Sequence, residues 1–109
     1  MRQFYTVVLD RMTRVKGTLA SEPYECGWAS EALVFVRIHE IGERQVISGK
    51  IQVSSDGITW INAGTVFKKM KEKGDYFVRV KEFGGWLRLV LKGKDNTEYK
   101  VTTSLALKE

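Results

Sequence analysis

A chain of 109 residues and 12.5 kDa can build one modest hydrophobic core and excludes two independently stable ones. With 43% hydrophobic and 28% charged residues it is composed like a globular chain rather than a disordered one. The net charge of +5 is uneven: residues 1–54 hold seven basic and six acidic side chains, whereas residues 55–109 hold eleven and seven, an excess that in principle favours an anionic partner.

The opening segment, MRQFYTVVLDRM, contains an apolar run too short for a signal-peptide core. No later run reaches the roughly 18–20 residues that a helix needs to cross a bilayer. Synthesis in the cytoplasm and no membrane partner are therefore expected. The first strand signals are QFYTVVL at 3–9 and RVKGTLA at 14–20, rich in β-branched and aromatic residues. The sole proline, Pro23, and the sole cysteine, Cys26, follow in a turn-rich stretch that also carries Tyr24 and Trp28. One cysteine cannot close an intrachain disulfide, and the expectation for Cys26 is a small, half-buried hydrophobe.

ALVFVRIHE at 32–40 is the next strand, with the only histidine, His39, on the face of Leu33, Phe35 and Arg37. No serine elbow or second histidine accompanies it, so neither a triad nor a metal centre is expected. Glu40 and Glu43 flank a turn-like Ile41-Gly42 and read as solvating charges rather than the paired carboxylates of a glycosidase. QVISGKIQVS at 45–54 and ITWINAG at 58–64 enclose Asp56-Gly57, which reads as a two-residue type I′ turn. That register would place Val53 beside Trp60 and send Trp60 to the core. The stretch SSDGITW also resembles the Asp-box hairpin of sialidases, but here aspartate and glycine are adjacent and the motif occurs once, so it carries no glycosidase chemistry.

The run KKMKEKGD at 68–75 reads as a solvated, lysine-guarded edge. YFVRVK at 76–81 and WLRLVLK at 86–92 are expected to form a hairpin around the turn Glu82-Phe83-Gly84-Gly85. Its inner face would hold Val80 by Leu87, Val78 by Leu89 and Tyr76 by Leu91. Its outer face would pair Lys81 with Trp86, Arg79 with Arg88 and Phe77 with Val90. The last segment, EYKVTTSLALK at 98–108, alternates cleanly, with Tyr99, Val101, Thr103, Leu105 and Leu107 on one side. About eight such strands predict a single all-β domain over 1–109, an antiparallel β-sandwich of two sheets with jelly-roll topology preferred.

Nothing in this pattern supplies a catalytic constellation or a cofactor or metal site, and a non-enzymatic role is expected. Arginine beside aromatic rings is the composition of interface centres. Phe77, Arg79, Lys81, Trp86 and Arg88 are therefore the candidate contact surface, for a partner or a second subunit. The competing expectation is that neighbouring segments cover them, with Glu40, Glu43 or Glu98 neutralising the arginines.

The order VSSDGITW, then GDYFVRVKEFGGWLRLVL, then KVTTSLALKE resembles small β-sandwich proteins among phage virion components, over roughly residues 45–109. The resemblance implies a jelly-roll-like decoration or auxiliary protein that binds a capsid or another virion surface, often as a homo-oligomer, and so a location in the virion. The same hairpin is also similar to discoidin-type carbohydrate-binding sandwiches. That resemblance implies a sugar platform, for which Tyr24, Trp28 and Trp86 are the available aromatics. Nucleic-acid binding through Lys68, Lys69, Lys71 and Lys73 is disfavoured, because only Phe67 and Tyr76 flank that run.

Overall fold

The computed structural model describes residues 4–81, 84–94 and 97–109. The described residues form nine strands and no helix: β1 Phe4–Lys16, β2 Thr18–Ala20, β3 Tyr24–Glu25, β4 Glu31–Ile41, β5 Ser48–Ser54, β6 Ile61–Val66, β7 Gly74–Lys81, β8 Trp86–Lys92 and β9 Glu98–Lys108. Two antiparallel sheets result. Sheet A has the order β1-β9-β4-β7; sheet B has the order β2-β8-β5-β6, with β3 also paired to β8.

The pairing is nested. Taking β2 and β3 as one interrupted strand on β8, the first strand pairs with the last, the second with the last but one, β4 with β7, and β5 with β6. A long antiparallel ribbon rolled so that alternate pairs fall in opposite sheets produces this order, and the added pairings β4–β9 and β5–β8 close each sheet. That is the jelly roll, the topology preferred from the sequence.

Period-two patterning decides which side of each strand is buried. On β9, Tyr99, Val101, Thr103, Leu105 and Leu107 are all sealed, and on β8 the same holds for Leu87, Leu89 and Leu91. They meet Val34, Val36, Ile38, Ile51 and Val80 between the sheets, while Ile47, Phe67 and Met70 plug one end of the sandwich. Gly49 is required at that end, because a Cβ there would lie 2.9 Å from the Phe67 ring. The polar groups drawn inside are all satisfied among the described residues. Ser21 Oγ accepts from the Leu89 amide at 2.9 Å, and Thr103 Oγ1 donates to Asp10 at 2.9 Å.

Four sequence expectations change. The segments expected as strands at 3–9 and 14–20 are not cut at residue 10: β1 runs on to Lys16 through two register shifts, at Asp10 and before Thr13, and the chain breaks only at Gly17, whose φ is +80°. The Asp56-Gly57 segment is not a two-residue turn, since the register is Val53 to Ile61 and Gln52 to Asn62, leaving a loop over 55–60. Trp60 consequently leaves the core. The hairpin between 76–81 and 86–92 does not exist: β7 pairs with β4 in sheet A, and β8 pairs with β5, β2 and β3 in sheet B. Alternation had identified the inward side of each strand correctly but holds no information about the partner, and a rolled ribbon sends these two neighbours to opposite sheets. Of the turn proposed between them, Glu82 and Phe83 lie outside the described residues.

Leu89 sits at the centre of β8 with 1% exposure. Leu89→Ala is expected to cost about 2–5 kcal/mol, measured by urea unfolding, with the denaturant dependence unchanged.

Candidate functional site

With both inner faces sealed, the surfaces left for recognition are the outer faces of the two sheets, and they differ in chemistry. On sheet A, Val8, Ser104, Phe35 and Phe77 are successive cross-strand partners across β1, β9, β4 and β7. The Phe35 and Phe77 rings lie 6.0 Å apart and tilted by 33°, yet Phe77 remains 61% exposed. The next row reads Thr6, Ala106, Leu33, Arg79. An apolar stripe thus crosses the sheet, and beside it lies a hollow of about 380 Å³ lined by Val8, Phe35, Arg37, Asp75, Thr102 and Ser104.

The charges around that stripe are paired within the face. Arg79 Nε meets Glu31 at 2.8 Å, Arg37 Nε meets Asp75 at 2.6 Å, and Glu40 is shared by Arg14 at 3.2 Å and Lys100 at 3.6 Å. The hydrogen bond to Asp75 holds the Arg37 guanidinium above its ordinary pKa. Such exposed pairs contribute about 0–1 kcal/mol each, so their effect is on the sign of the surface rather than on stability.

Sheet B differs. Strands β2, β5, β6 and β8 contain no carboxylate and carry Lys50, Arg88 and Lys92, and the acid on the remaining strand, Glu25 of β3, lies opposite Trp86. Arg88 is held by uncharged partners. Its Nε donates to Gln52 at 2.8 Å, Gln52 in turn donates to Asn62 at 3.1 Å, and the guanidinium lies 4.5 Å from the Trp60 ring centroid. Trp86 is covered by the 55–60 loop, for a Cβ on Gly57 would come within 3.1 Å of its indole. That loop is tied by its own polar groups. Asp56 Oδ1 accepts from the amides of Ile58 and Thr59 at 2.8 and 3.0 Å and from Ser54 Oγ at 2.9 Å, and Ser54 Oγ accepts from the Gly57 amide at 2.9 Å. These bonds hold the Asp56 carboxyl below the usual range, the Thr59 amide foremost.

The five residues proposed as one contact surface are therefore divided. Phe77, Arg79 and Lys81 stand on the outer face of sheet A; Trp86 and Arg88 stand on the outer face of sheet B, on the far side of the core. Lys81 faces Glu31 instead of Trp86, and Arg79 faces Leu33 instead of Arg88, so the opposed arginines never arise. The covering partners are Glu31 for Arg79 and Gln52 with Trp60 for Arg88, not Glu40, Glu43 or Glu98.

The three aromatics named as a sugar platform do not share a surface. Tyr24 packs on the core, its hydroxyl toward Tyr5 and its pKa raised chiefly by burial, whereas Trp86 faces outward under Gly57 and Trp28 sits in the turn after β3. His39 lies on the outer face of sheet A, with Nε2 2.8 Å from Thr102 Oγ1, and among the described residues no three His, Cys, Asp or Glu side chains converge as metal ligands. Cys26 is wholly buried rather than half-buried, and burial pushes its thiol up to about 11. No helix among the described residues is long and apolar enough to cross a membrane.

Sequence reading missed Thr18, Ser48, Lys50 and Lys92, which come together only through β8's pairing with β2 and β5. The signal available beforehand was the absence of acids from the segments forming β5, β6 and β8.

No protein-family model and no curated protein matches this sequence. Among solved structures, the fold is similar to the SPBc2 prophage-derived protein YomS, with a TM-score of 0.66 and 8% identity, covering 100% of this chain and 96% of that one. It is similar to a chain of the infectious bursal disease virus Gx strain at a TM-score of 0.63 and 10% identity, over 98% of this chain but 32% of the viral one. PirA follows at 0.52 and 9%, covering 99% and 93%. At such identities the likeness is one of fold.

Two outcomes follow from the site. Native Cys26 is expected to resist a thiol reagent at pH 8 and to react only as fast as the chain opens, measured against a urea-unfolded control. Asp56→Ala is expected to red-shift tryptophan emission at neutral pH by loosening the cover on Trp86. Because the folded carboxyl is held low, its contribution is present above the ordinary carboxylate pKa and lost as pH falls through the lowered value, so the two proteins' spectra converge in acid.

Proposed function

We propose that this chain is a non-enzymatic structural protein of phage type, a virion decoration or auxiliary component that self-associates through the outer face of sheet A and docks as an oligomer on a capsid or other virion surface. The observation that carries the reading is the exposed Phe77 on an apolar stripe whose surrounding charges are already paired. Pairing of Arg14, Arg37, Arg79 and Lys100 with Glu40, Asp75 and Glu31 lessens the like-charge repulsion that a second copy would meet there. Phe77 is also a projection beside a hollow on the same face, the self-complementary arrangement that a two-fold interface requires. End-to-end similarity of fold to a prophage-derived protein, and the same fold within a viral chain, support the virion setting. The carbohydrate-binding alternative has less support, since Tyr24 and Trp86 face opposite sides of sheet B.

Light scattering coupled to size exclusion tests the reading. The expected mass is an integral multiple of 12.5 kDa, falling to the monomer in Phe77→Glu with the far-ultraviolet spectrum unchanged. A wild-type chain that stays monomeric at all concentrations would overturn self-association.

A further inference from the structure

The outer face of sheet B carries a second site, independent of the first. A groove of about 500 Å³ runs across it, lined by Thr18, Ser48, Lys50, Val66, Lys69, Val90 and Lys92, among others. A second hollow of about 450 Å³ continues it past Ser48, Lys69 and Lys92 to Lys94. The two share three lining residues, so the depression is a trough rather than a closed pocket. Its geometry follows from the ladder: Lys92 lies between Thr18 and Ser48, and Val90 between Ala20 and Lys50. Lys50 and Lys92 are thus diagonal neighbours about 7–8 Å apart at the backbone.

We propose that this trough binds the phosphodiester backbone of a single-stranded nucleic acid. None of Lys50, Lys69 and Lys92 has a carboxylate partner among the described residues, in contrast to the paired cations of sheet A. The face therefore repels a second copy of itself and attracts an anion. The shape selects the kind of anion. A peptide that docks by adding a strand needs an open sheet edge, but Lys50 and Lys92 stand on β5 and β8, whose backbone groups are already spent on neighbouring strands. What it offers is ammonium groups and the hydroxyl of Thr18, flanked by Val66 and Val90, donors of the kind that contact phosphate oxygens, while the Ser48 hydroxyl donates to the Lys92 carbonyl at 3.2 Å. The lysine spacing is comparable to that of successive phosphates on an extended strand. The site differs from the 68–73 lysine run, of which only Lys69 reaches it.

Fluorescence anisotropy with labelled oligo-dT, from about 50 to 200 mM salt, provides the test. Lys50→Gln/Lys92→Gln is expected to weaken binding about tenfold and to lower the salt slope by about 1.4, the counterions released by two contacts to a single strand. Lys71→Gln/Lys73→Gln removes the same charge outside the trough and is expected to change affinity less than about twofold. Lys50→Arg/Lys92→Arg should bind like wild type, and thermal melts of all variants report folding. The proposal is overturned if the two glutamine pairs weaken binding equally, if wild type shows no binding at the lowest salt, or if polyglutamate competes as well as unlabelled oligo-dT at equal charge. A monomeric mass in light scattering leaves it standing, because it draws only on sheet B.

Discussion

Strand β9 is hydrogen-bonded on both flanks, to β1 and to β4, over nearly its whole length, and its inner side is sealed. Everything else is placed relative to it. A slip of one residue would bring Lys100, Thr102 and Ser104 inside and turn Tyr99, Val101, Leu105 and Leu107 to water, so burial fixes its register against two partners at once. β4 then carries β7 on its free edge, and the wrapping of the ribbon brings β8 over the core with the same constraint. Tyr99 adds a polar anchor, its hydroxyl donating to the Gly17 carbonyl at 2.9 Å where the chain crosses from β1 to β2, and burial pushes its own pKa up to about 12.

Because the core consumes one side of every strand, recognition is left to the other, and the two sheets differ in how their cations are held. Sheet A pairs Arg14, Arg37, Arg79 and Lys100 with acids around an aromatic projection. Sheet B sets Lys50, Arg88 and Lys92 against a single strand acid, Glu25. On the proposed reading the first face meets like molecules and the second an oppositely charged polymer, with the apolar layer between them.

The fold was legible in the sequence because alternation is local. The β4, β7, β8 and β9 segments were bounded to within a residue or two, and the inward residues of β8 and β9 were identified one by one. The candidate site was not, because a surface on a sheet is assembled from residues on strands far apart in sequence. Phe77 meets Phe35, Lys50 meets Val90 and Arg88 meets Gln52, pairings that depend on strand order. Adjacent segments with matching patterns, 76–81 and 86–92, invite a hairpin by proximity alone. Trp60 misled for a related reason: a two-residue turn would have carried it inward, but Asp56 and Ser54 spend their side chains on loop amides, lengthening the connection and leaving the indole under Arg88.

The nesting of the ribbon also has a temporal side. Asp10 on β1 is bound to Thr103 on β9, 93 residues further along, and β1 has no other strand in its sheet to lean on. During synthesis the earliest strand must wait, unpaired, until the final one leaves the ribosome. Such a chain folds late and slowly for its size. The bulges at Asp10 and Thr13, with Arg11 and Met12 between them, break the flat edge that a waiting strand would otherwise offer to a neighbouring nascent chain.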